Sequence, residues 1–292
     1  MPARPKQGRA SKRGMWALLL IPAFFYLAIL FLLYAFQTRL LFPTSAVGGA
    51  GPLPPGAERL TLATPDGETL HGVHLPPHAP GPQPPLLLGF SGNAWNAEDA
   101  AAYLHDLYPE AEVVAFHYRG YRPSTGTPSA EALIEDAPLA YDLAVERVRP
   151  RRVVAVGFSI GSGVAASLSG KRPLAGLILV TPFDSLKAVA ASHYRWLPVR
   201  FLFRHEMDSA KRLRGSEGPV AILAGERDTL VPPARTEALR RAVGSPAYDR
   251  TITGAGHNDL YDRPLFRSAM REALETILAD RRDGALSRGG PD

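Results

Sequence analysis

Gly157-Phe158-Ser159-Ile160-Gly161 follows an apolar run, Arg152 to Val156, and leads into a run of small residues, Gly161 to Ser169. The first run has the length and composition of a buried strand and the second those of a closely packed helix, so the pentad reads as a sharp strand-to-helix turn. A serine on such a turn stands with its hydroxyl clear of the sheet. Glycines two before and two after it remove the side chains that would collide at the bend. The helix that starts there aims its unpaired N–H groups at any anion forming beside the serine. A Gly-x-Ser-x-Gly pentad alone recurs in unrelated loops; the strand before it and the helix after it are what make it a nucleophile elbow.

Outward from this turn, apolar strands alternate with helices. On the N-terminal side stand a hairpin, Arg59 to Ala63 and Thr69 to Leu75, around the turn-forming Thr64-Pro65-Asp66-Gly67, then a strand at Leu86 to Phe90. A helix at Ala97 to Tyr108, a strand at Glu112 to Phe116 and a helix at Ala130 to Val148 lead into the elbow strand. On the C-terminal side follow strands at Leu177 to Val180, Val220 to Ala224 and Tyr248 to Ile252, with helices at Pro233 to Ala242 and Pro264 to Asp280. This alternation predicts an α/β domain on a doubly wound, mostly parallel sheet with helices on both faces. The stretch from Pro182 to Gly218 interrupts the pattern, with Trp196, Leu197, Phe201, Leu202 and Phe203 set among arginines. Two readings of it stand: a cover over the sheet, or a small cap-like lid over a site.

Trp16 to Phe36 is an uncharged run of 21 residues, which as a helix reaches ~30 Å, the thickness of a bilayer's hydrocarbon core. It is too long for the apolar part of a cleaved signal peptide and is followed by Gln37-Thr38-Arg39, not a small-x-small site, so a signal anchor is expected. Net charge is +5, and Arg4, Lys6, Arg9, Lys12 and Arg13 supply all of it, leaving the remainder balanced (5 − 5 = 0). Basicity confined to that end marks the cytoplasmic flank of a span and offers no face to nucleic acid. The expected organisation is a basic cytoplasmic N-terminus over 1–15, a transmembrane anchor over 16–36, a Pro- and Gly-rich linker over 37–57, an α/β domain over 58–280 with the insertion at 182–218, and a disordered tail over 281–292. The domain would lie on the outer face of the inner (cell) membrane.

A serine hydroxyl is a weak nucleophile at neutral pH, so the elbow needs a base within hydrogen-bond reach and an acid to orient that base. His257 lies in Gly254-Ala255-Gly256-His257-Asn258-Asp259, a glycine loop after the last predicted strand, from which an imidazole can reach over the sheet edge. None of the other histidines combines a strand-end loop with flanking glycines. The orienting acid is expected in Gly225-Glu226-Arg227-Asp228, after the preceding strand, at the edge where open α/β sheets bind ligands. Asp228 is the choice there, with Glu226 and then Asp259 as competitors. Two backbone N–H groups for an oxyanion would come from Ile160, next after the serine, and from Asn93 in the loop Ser91 to Asn96. The alternative for Asn93 is an ordinary helix cap. The chain has no cysteine, which excludes disulfides, thiolate metal sites and a cysteine nucleophile. No ligand cluster or phosphate-binding glycine pattern asks for a metal or an organic cofactor.

With these residues in hand, the chain over about Glu58 to Asp280 resembles the α/β-hydrolase superfamily. Within it, the chain is similar to membrane-anchored serine hydrolases related to serine aminopeptidases and to the eukaryotic α/β-hydrolase-domain proteins that remove acyl groups. Leu40-Leu41-Phe42-Pro43, Tyr118-Arg119-Gly120-Tyr121, Thr181-Pro182-Phe183-Asp184-Ser185-Leu186 and Gly256-His257-Asn258-Asp259-Leu260 carry the closer resemblance. It implies Ser159, Asp228 and His257 as a catalytic triad, in agreement with the reading of the residues. Two positions depart from the family's pattern: Ser91 stands where a histidine is usual, and His117 where an aspartate is.

The activity expected is hydrolysis of an ester or thioester through an acyl-enzyme, on a small-molecule or lipid-like acyl substrate. Peptidases and amidases share the fold, and a catalytically silent, membrane-tethered binding module is the competing class. Dehalogenase or epoxide-hydrolase chemistry would place an aspartate where Ser159 stands.

Overall fold

The computed structural model describes residues 12–79, 81–216 and 218–280. The expected tail at 281–292 and residues 1–11 of the basic N-terminus lie outside them. In chain order the elements are α1 (Lys12–Leu41), β1 (Glu58–Ala63), β2 (Thr69–Leu75), β3 (Leu86–Phe90), α2 (Ala97–Leu107), β4 (Glu112–Phe116), α3 (Ala130–Val148), β5 (Val153–Phe158) and α4 (Ile160–Ser169). They continue as β6 (Gly176–Val180), α5 (Leu186–His193), α6 (Val199–Leu202), α7 (Ser209–Leu213), β7 (Val220–Gly225), α8 (Pro233–Val243), β8 (Tyr248–Ile252) and α9 (Pro264–Ala279).

Among the described residues, eight strands form one sheet in the order β1-β2-β4-β3-β5-β6-β7-β8. The hairpin β1–β2 and the pair β2–β4 are antiparallel, and every other pairing is parallel. Strands β3 and β5 to β7 are buried along their whole length, as continuous apolar runs must be when helices cover both faces. Side chains alternate between the two cores. Val153 and Ala155 pack with Leu133, Tyr141 and Val164 on one face, and Val154, Val156 and Phe158 pack with Leu104, Phe266 and Met270 on the other.

Chain direction across the sheet diverges beside β3: β4 lies to one side of it and β5 to the other. Phe90 at the end of β3 is level with Gly157 in β5, so the loop after β3 and the turn after β5 open side by side. This is the switch point at which sheets of this kind bind ligands.

Two expectations need correction. Helix α1 does not stop at Phe36 but runs to Leu41. Its stretch Leu20–Leu41, of mean hydropathy 2.0, is long and apolar enough to cross a membrane. The expected span stops at Phe36, just before the polar Gln37 and Thr38. Their polarity is met by partners on the domain: Gln37 Nε2 donates to Leu202 O at 3.1 Å, Gln37 Oε1 accepts from Arg204 N at 2.9 Å, and Thr38 Oγ1 lies 2.9 Å from His205 Nε2. The segment expected as a free linker also packs along the domain. Phe42 is 2% exposed, Asn96 Nδ2 donates to Gly48 O at 3.0 Å, and Gly51 N donates to Asp99 Oδ1 at 2.9 Å.

The insertion divides between its two readings. Phe183, Leu186 and Leu213 pack into the core, whereas Trp196 and Phe201 are 56% and 71% exposed.

Candidate active site

Strand β5 ends at Phe158 and α4 begins at Ile160, leaving Ser159 alone to make the turn. Its φ of 51° and ψ of −116° form a backbone conformation that costs an L-residue on the order of 1–3 kcal/mol. The surroundings hold it there: Ser159 N donates to Val180 O at 2.9 Å, and Ser162 N and Oγ both donate to Ser159 O, at 2.9 and 2.6 Å. A Cβ on Gly157 would meet Gly161 O and one on Gly161 would meet Phe90 O, both backbone atoms that cannot give way. The two glycines are required by close approach.

The structure brings Ser159, His257 and Asp228 together. His257 Nε2 lies 3.1 Å from Ser159 Oγ, and His257 Nδ1 lies 2.7 Å from Asp228 Oδ2. A carboxylate only accepts, so Nδ1 carries the ring proton and Nε2 presents its lone pair to the serine hydroxyl. Asp228 is 5% exposed, and its second oxygen, Oδ1, accepts from Leu230 N at 2.9 Å and Val231 N at 2.8 Å. The carboxylate is thereby aimed at the imidazole by two bonds from its own loop.

The two competing acids shape the histidine loop. Glu226 Oε2 accepts from Gly254 N at 2.7 Å and Asp259 Oδ1 accepts from Gly256 N at 2.6 Å, while Asp259 also pairs with Arg263. Among the described residues, no other histidine bonds Ser159. His74 pairs with Glu112 at 2.7 Å, His105 Nε2 meets Pro76 O at 2.7 Å, and His193 Nε2 meets Leu230 O at 2.8 Å.

The cap of α2 is Asn96, whose side chain accepts from Glu98 N at 2.9 Å. Asn93 is free of that duty, and its Nδ2 donates to Leu41 O at the end of α1, 2.8 Å away. Among the described residues, no acceptor pairs with the backbone N–H of Asn93 or Ile160. Ser91 and His117, the two departures from the family pattern, are buried beside the site. Ser91 O accepts from Tyr118 Oη at 2.9 Å, and His117 Nε2 stands 3.7 Å from Glu98 Oε1.

An aromatic cluster joins the three loops from below. Trp95 follows Asn93, Phe158 precedes Ser159, and Tyr261 follows His257; the Trp95 ring lies 5.1 Å from Phe158 and 5.2 Å from Tyr261. Aromatic packing of this kind fixes loops relative to one another as well as burying area.

Above Ser159 opens an apolar cavity of about 600 Å³. Asn93, Ser159 and Ile160 form its floor, Val189, Leu197 and Leu202 belong to one wall, and Leu30, Leu33, Gln37 and Leu41 of α1 to the other. Sequence reading missed the α1 wall. The signal available was the 30, 33, 37, 41 spacing, one stripe of a helix, which a uniformly apolar run conceals.

This sheet order, with a serine elbow after β5 and loops converging from β3, β7 and β8, is that of an α/β hydrolase, and the chain belongs to the α/β-hydrolase superfamily, in its group of α/β-hydrolase-domain-containing proteins. The uncharacterized protein Rv2307c of Mycobacterium tuberculosis is 34% identical over 255 residues, covering 84% of this chain and 90% of that one. The lysophosphatidylserine lipase ABHD12 of Danio rerio is 32% identical over 169 residues, 51% of this chain and 44% of the lipase. Among solved structures, the Pyrococcus furiosus esterase Pf2001 has a TM-score of 0.64 at 18% identity, over 79% of this chain and 96% of the esterase, a likeness of fold. No protein-family model matches the chain.

Proposed function

We propose that this protein is a membrane-anchored serine hydrolase that cleaves esters or thioesters of acyl groups, with Ser159 as nucleophile, His257 as general base and acid, and Asp228 as the orienting carboxylate. The observation that carries the reading is the chain of 3.1 and 2.7 Å contacts from Ser159 through His257 to Asp228, at the floor of an apolar cavity.

In this mechanism His257 Nε2 takes the hydroxyl proton as Ser159 Oγ bonds to the acyl carbon. The backbone N–H groups of Asn93 and Ile160 donate to the oxyanion that results. Collapse breaks the bond to the leaving group, which receives its proton from His257 Nε2. Water, deprotonated by the same nitrogen, then attacks the acyl-enzyme, and the acid leaves as Ser159 regains its proton. Asp228 stays ionised throughout and stabilises the imidazolium. A ~600 Å³ apolar cavity is the size of a drug-sized ligand's site and suits an acyl chain better than a polar peptide.

Helix α1 serves as the anchor, with the N-terminus in the cytoplasm, the hydrolase domain over 58–280 outside the inner membrane and the insertion at 182–218 as part of the site. A reporter fused after Asp292 should be active outside the cytoplasm; activity confined to the cytoplasm would overturn that topology.

The chemistry is tested by labelling the full-length protein in detergent with a fluorophosphonate, which reacts with activated serines. Wild type should label, and Ser159→Ala and His257→Ala should not. A folded wild type that stays unlabelled, or an equally labelled Ser159→Ala, would leave the silent binding module as the better reading.

A further inference from the structure

The cavity above Ser159 is not enclosed by the hydrolase domain alone. Leu30, Leu33, Gln37 and Leu41 line it from one stripe of α1, spanning 12 residues or ~16 Å of helix. The opposite stripe faces away from the protein, with Ile21, Phe25 and Leu32 exposed by 57%, 60% and 51%. Helix α1 has 30 residues, about 45 Å of length, against a hydrocarbon core of about 30 Å. About 15 Å of the helix therefore extends beyond the hydrocarbon, and its C-terminal part, from Leu30 to Leu41, walls the cavity.

A second observation concerns the lip of the cavity across from α1. Between α5 and the end of α6, Tyr194, Trp196 and Phe201 are exposed by 49%, 56% and 71%. Arg195, Arg200 and Arg204 alternate with them, and no acidic residue occurs from Leu186 to His205. The Arg200 guanidinium lies over the Phe201 ring at 4.3 Å and that of Arg204 over the Tyr34 ring at 4.6 Å. Exposed aromatics with arginines folded back over rings are the composition of a surface seated in a lipid interface. The lip also follows the anchor inward: Tyr26 Oη donates to Trp196 O at 3.1 Å. Tyr26 lies 15 residues before Leu41, so the lip reaches ~22 Å down the helix axis from the cavity floor.

We propose that the leaflet around α1 is the occupant of this face, and that the cavity takes the acyl chain of a membrane-resident lipid ester which slides in between α1 and the α5–α6 lip without crossing water. This rests on the serine-hydrolase reading and adds to it the substrate class, the route and a role for α1 as a wall that sets chain length. The ester carbonyl reaches Ser159 at the floor, and an anionic headgroup stays with the arginines of the lip.

The test uses the full-length protein. In mixed micelles, the ratio of kcat/KM for p-nitrophenyl dodecanoate to that for p-nitrophenyl acetate should fall at least tenfold in Leu33→Trp, which fills the cavity from α1, and in Ala190→Trp, which fills it from α5. If both folded variants keep the ratio within twofold of wild type, α1 does not wall the acyl site and the proposal falls. If wild type hydrolyses neither ester and takes no fluorophosphonate, it is the hydrolase reading that has failed. The native chain lacks cysteine, so Phe201→Cys can carry a single fluorophore. In phosphatidylglycerol-containing vesicles with quencher-labelled lipid, that site should be quenched at least threefold more than one at Arg151→Cys, at the opposite end of β5. Equal quenching at the two sites would overturn lip insertion. So would protection of Phe201→Cys that rises with protein concentration, which would assign the lip to a second copy of the chain.

Discussion

At the floor of the cavity, Ser159, His257 and Asp228 are each tied by directional bonds to fixed backbone or to one another. At its walls, Leu33, Leu197 and Leu202 line the space with apolar side chains, and a few hydrogen bonds join the two walls, those of Tyr26, Gln37, Thr38 and Arg204 among them. The difference separates chemistry from selection. On the proposed reading the floor holds a nucleophile within a few tenths of an ångström, and it is built from strained backbone and buried hydrogen bonds, where one changed atom should be felt as lost rate. A wall that must accommodate a chain needs shape and hydrophobicity, and small changes there alter which molecules arrive.

The largest break in this contrast is Ser159→Ala, which should reduce turnover of p-nitrophenyl butyrate by ~10⁶-fold, the scale at which loss of a nucleophile leaves only the oxyanion site and binding. Steady-state assays on the folded variant check it, and a fall below a hundredfold would mean that the elbow serine is not the nucleophile. Asp228→Asn comes next, at ~10⁴-fold in kcat. Its amide oxygen can still accept from Leu230 N and Val231 N, so the loop keeps its shape. The NH₂ then faces Nδ1, and the imidazole is driven to the tautomer whose Nε2 carries the proton and cannot take another. A kcat within tenfold of wild type would return Glu226 or Asp259 to consideration.

Gln37→Leu sharpens the contrast from the wall side. It removes two bonds between α1 and the domain, each worth ~0.5–1.5 kcal/mol, without touching the floor. KM for a dodecanoyl ester should rise about tenfold while kcat moves less than threefold. An equal fall in kcat with unchanged KM would show that the joint positions the chemistry and not the chain.

The floor was legible in the sequence because each part has a local cause. Gly157 and Gly161 are demanded by steric contact at one turn, and Asp228 and His257 lie one short loop beyond apolar strands of unambiguous length. The doubly wound, mostly parallel character of the sheet followed from the same runs. The wall was not legible, because its stripe on α1 is defined only by what it faces. Leu30 and Leu33 look like Leu27 and Phe31 in a run where every position is apolar, and a lipid-facing helix needs no polar side by which to recognise the other. Gln37 and Thr38 are the visible exceptions, but their partners, Leu202, Arg204 and His205, lie more than 160 residues away, so nothing local marks them as a contact.

The smallest effect expected is on stability, and it asks whether floor and wall respond differently to acid. His205 sits in the joint, 6% exposed, edge-on to Phe42 at 5.2 Å and 2.9 Å from Thr38 Oγ1. Burial holds its pKa below the ordinary histidine value, and the charge of Arg204 pushes the same way. His117, beside the floor, is 3% exposed and is also lowered by burial, with Glu98 opposing the shift. In both cases the folded protein prefers the neutral ring, while the unfolded chain takes up its proton near ~6.5. The stability these sites contribute is therefore complete above that pH and is lost as pH falls through their lowered folded values. Unfolding temperature should be level between about pH 8 and 7 and decline by a few degrees toward pH 5, above the range near ~4 where carboxylates begin to titrate. His205→Asn should remove the part of the slope that belongs to the joint, and His117→Asn the part that belongs to the floor. A slope that survives both substitutions unchanged would mean that neither buried ring is released by acid. One that vanishes with His117→Asn alone would mean that the wall joins the domain through bonds indifferent to the protonation of His205.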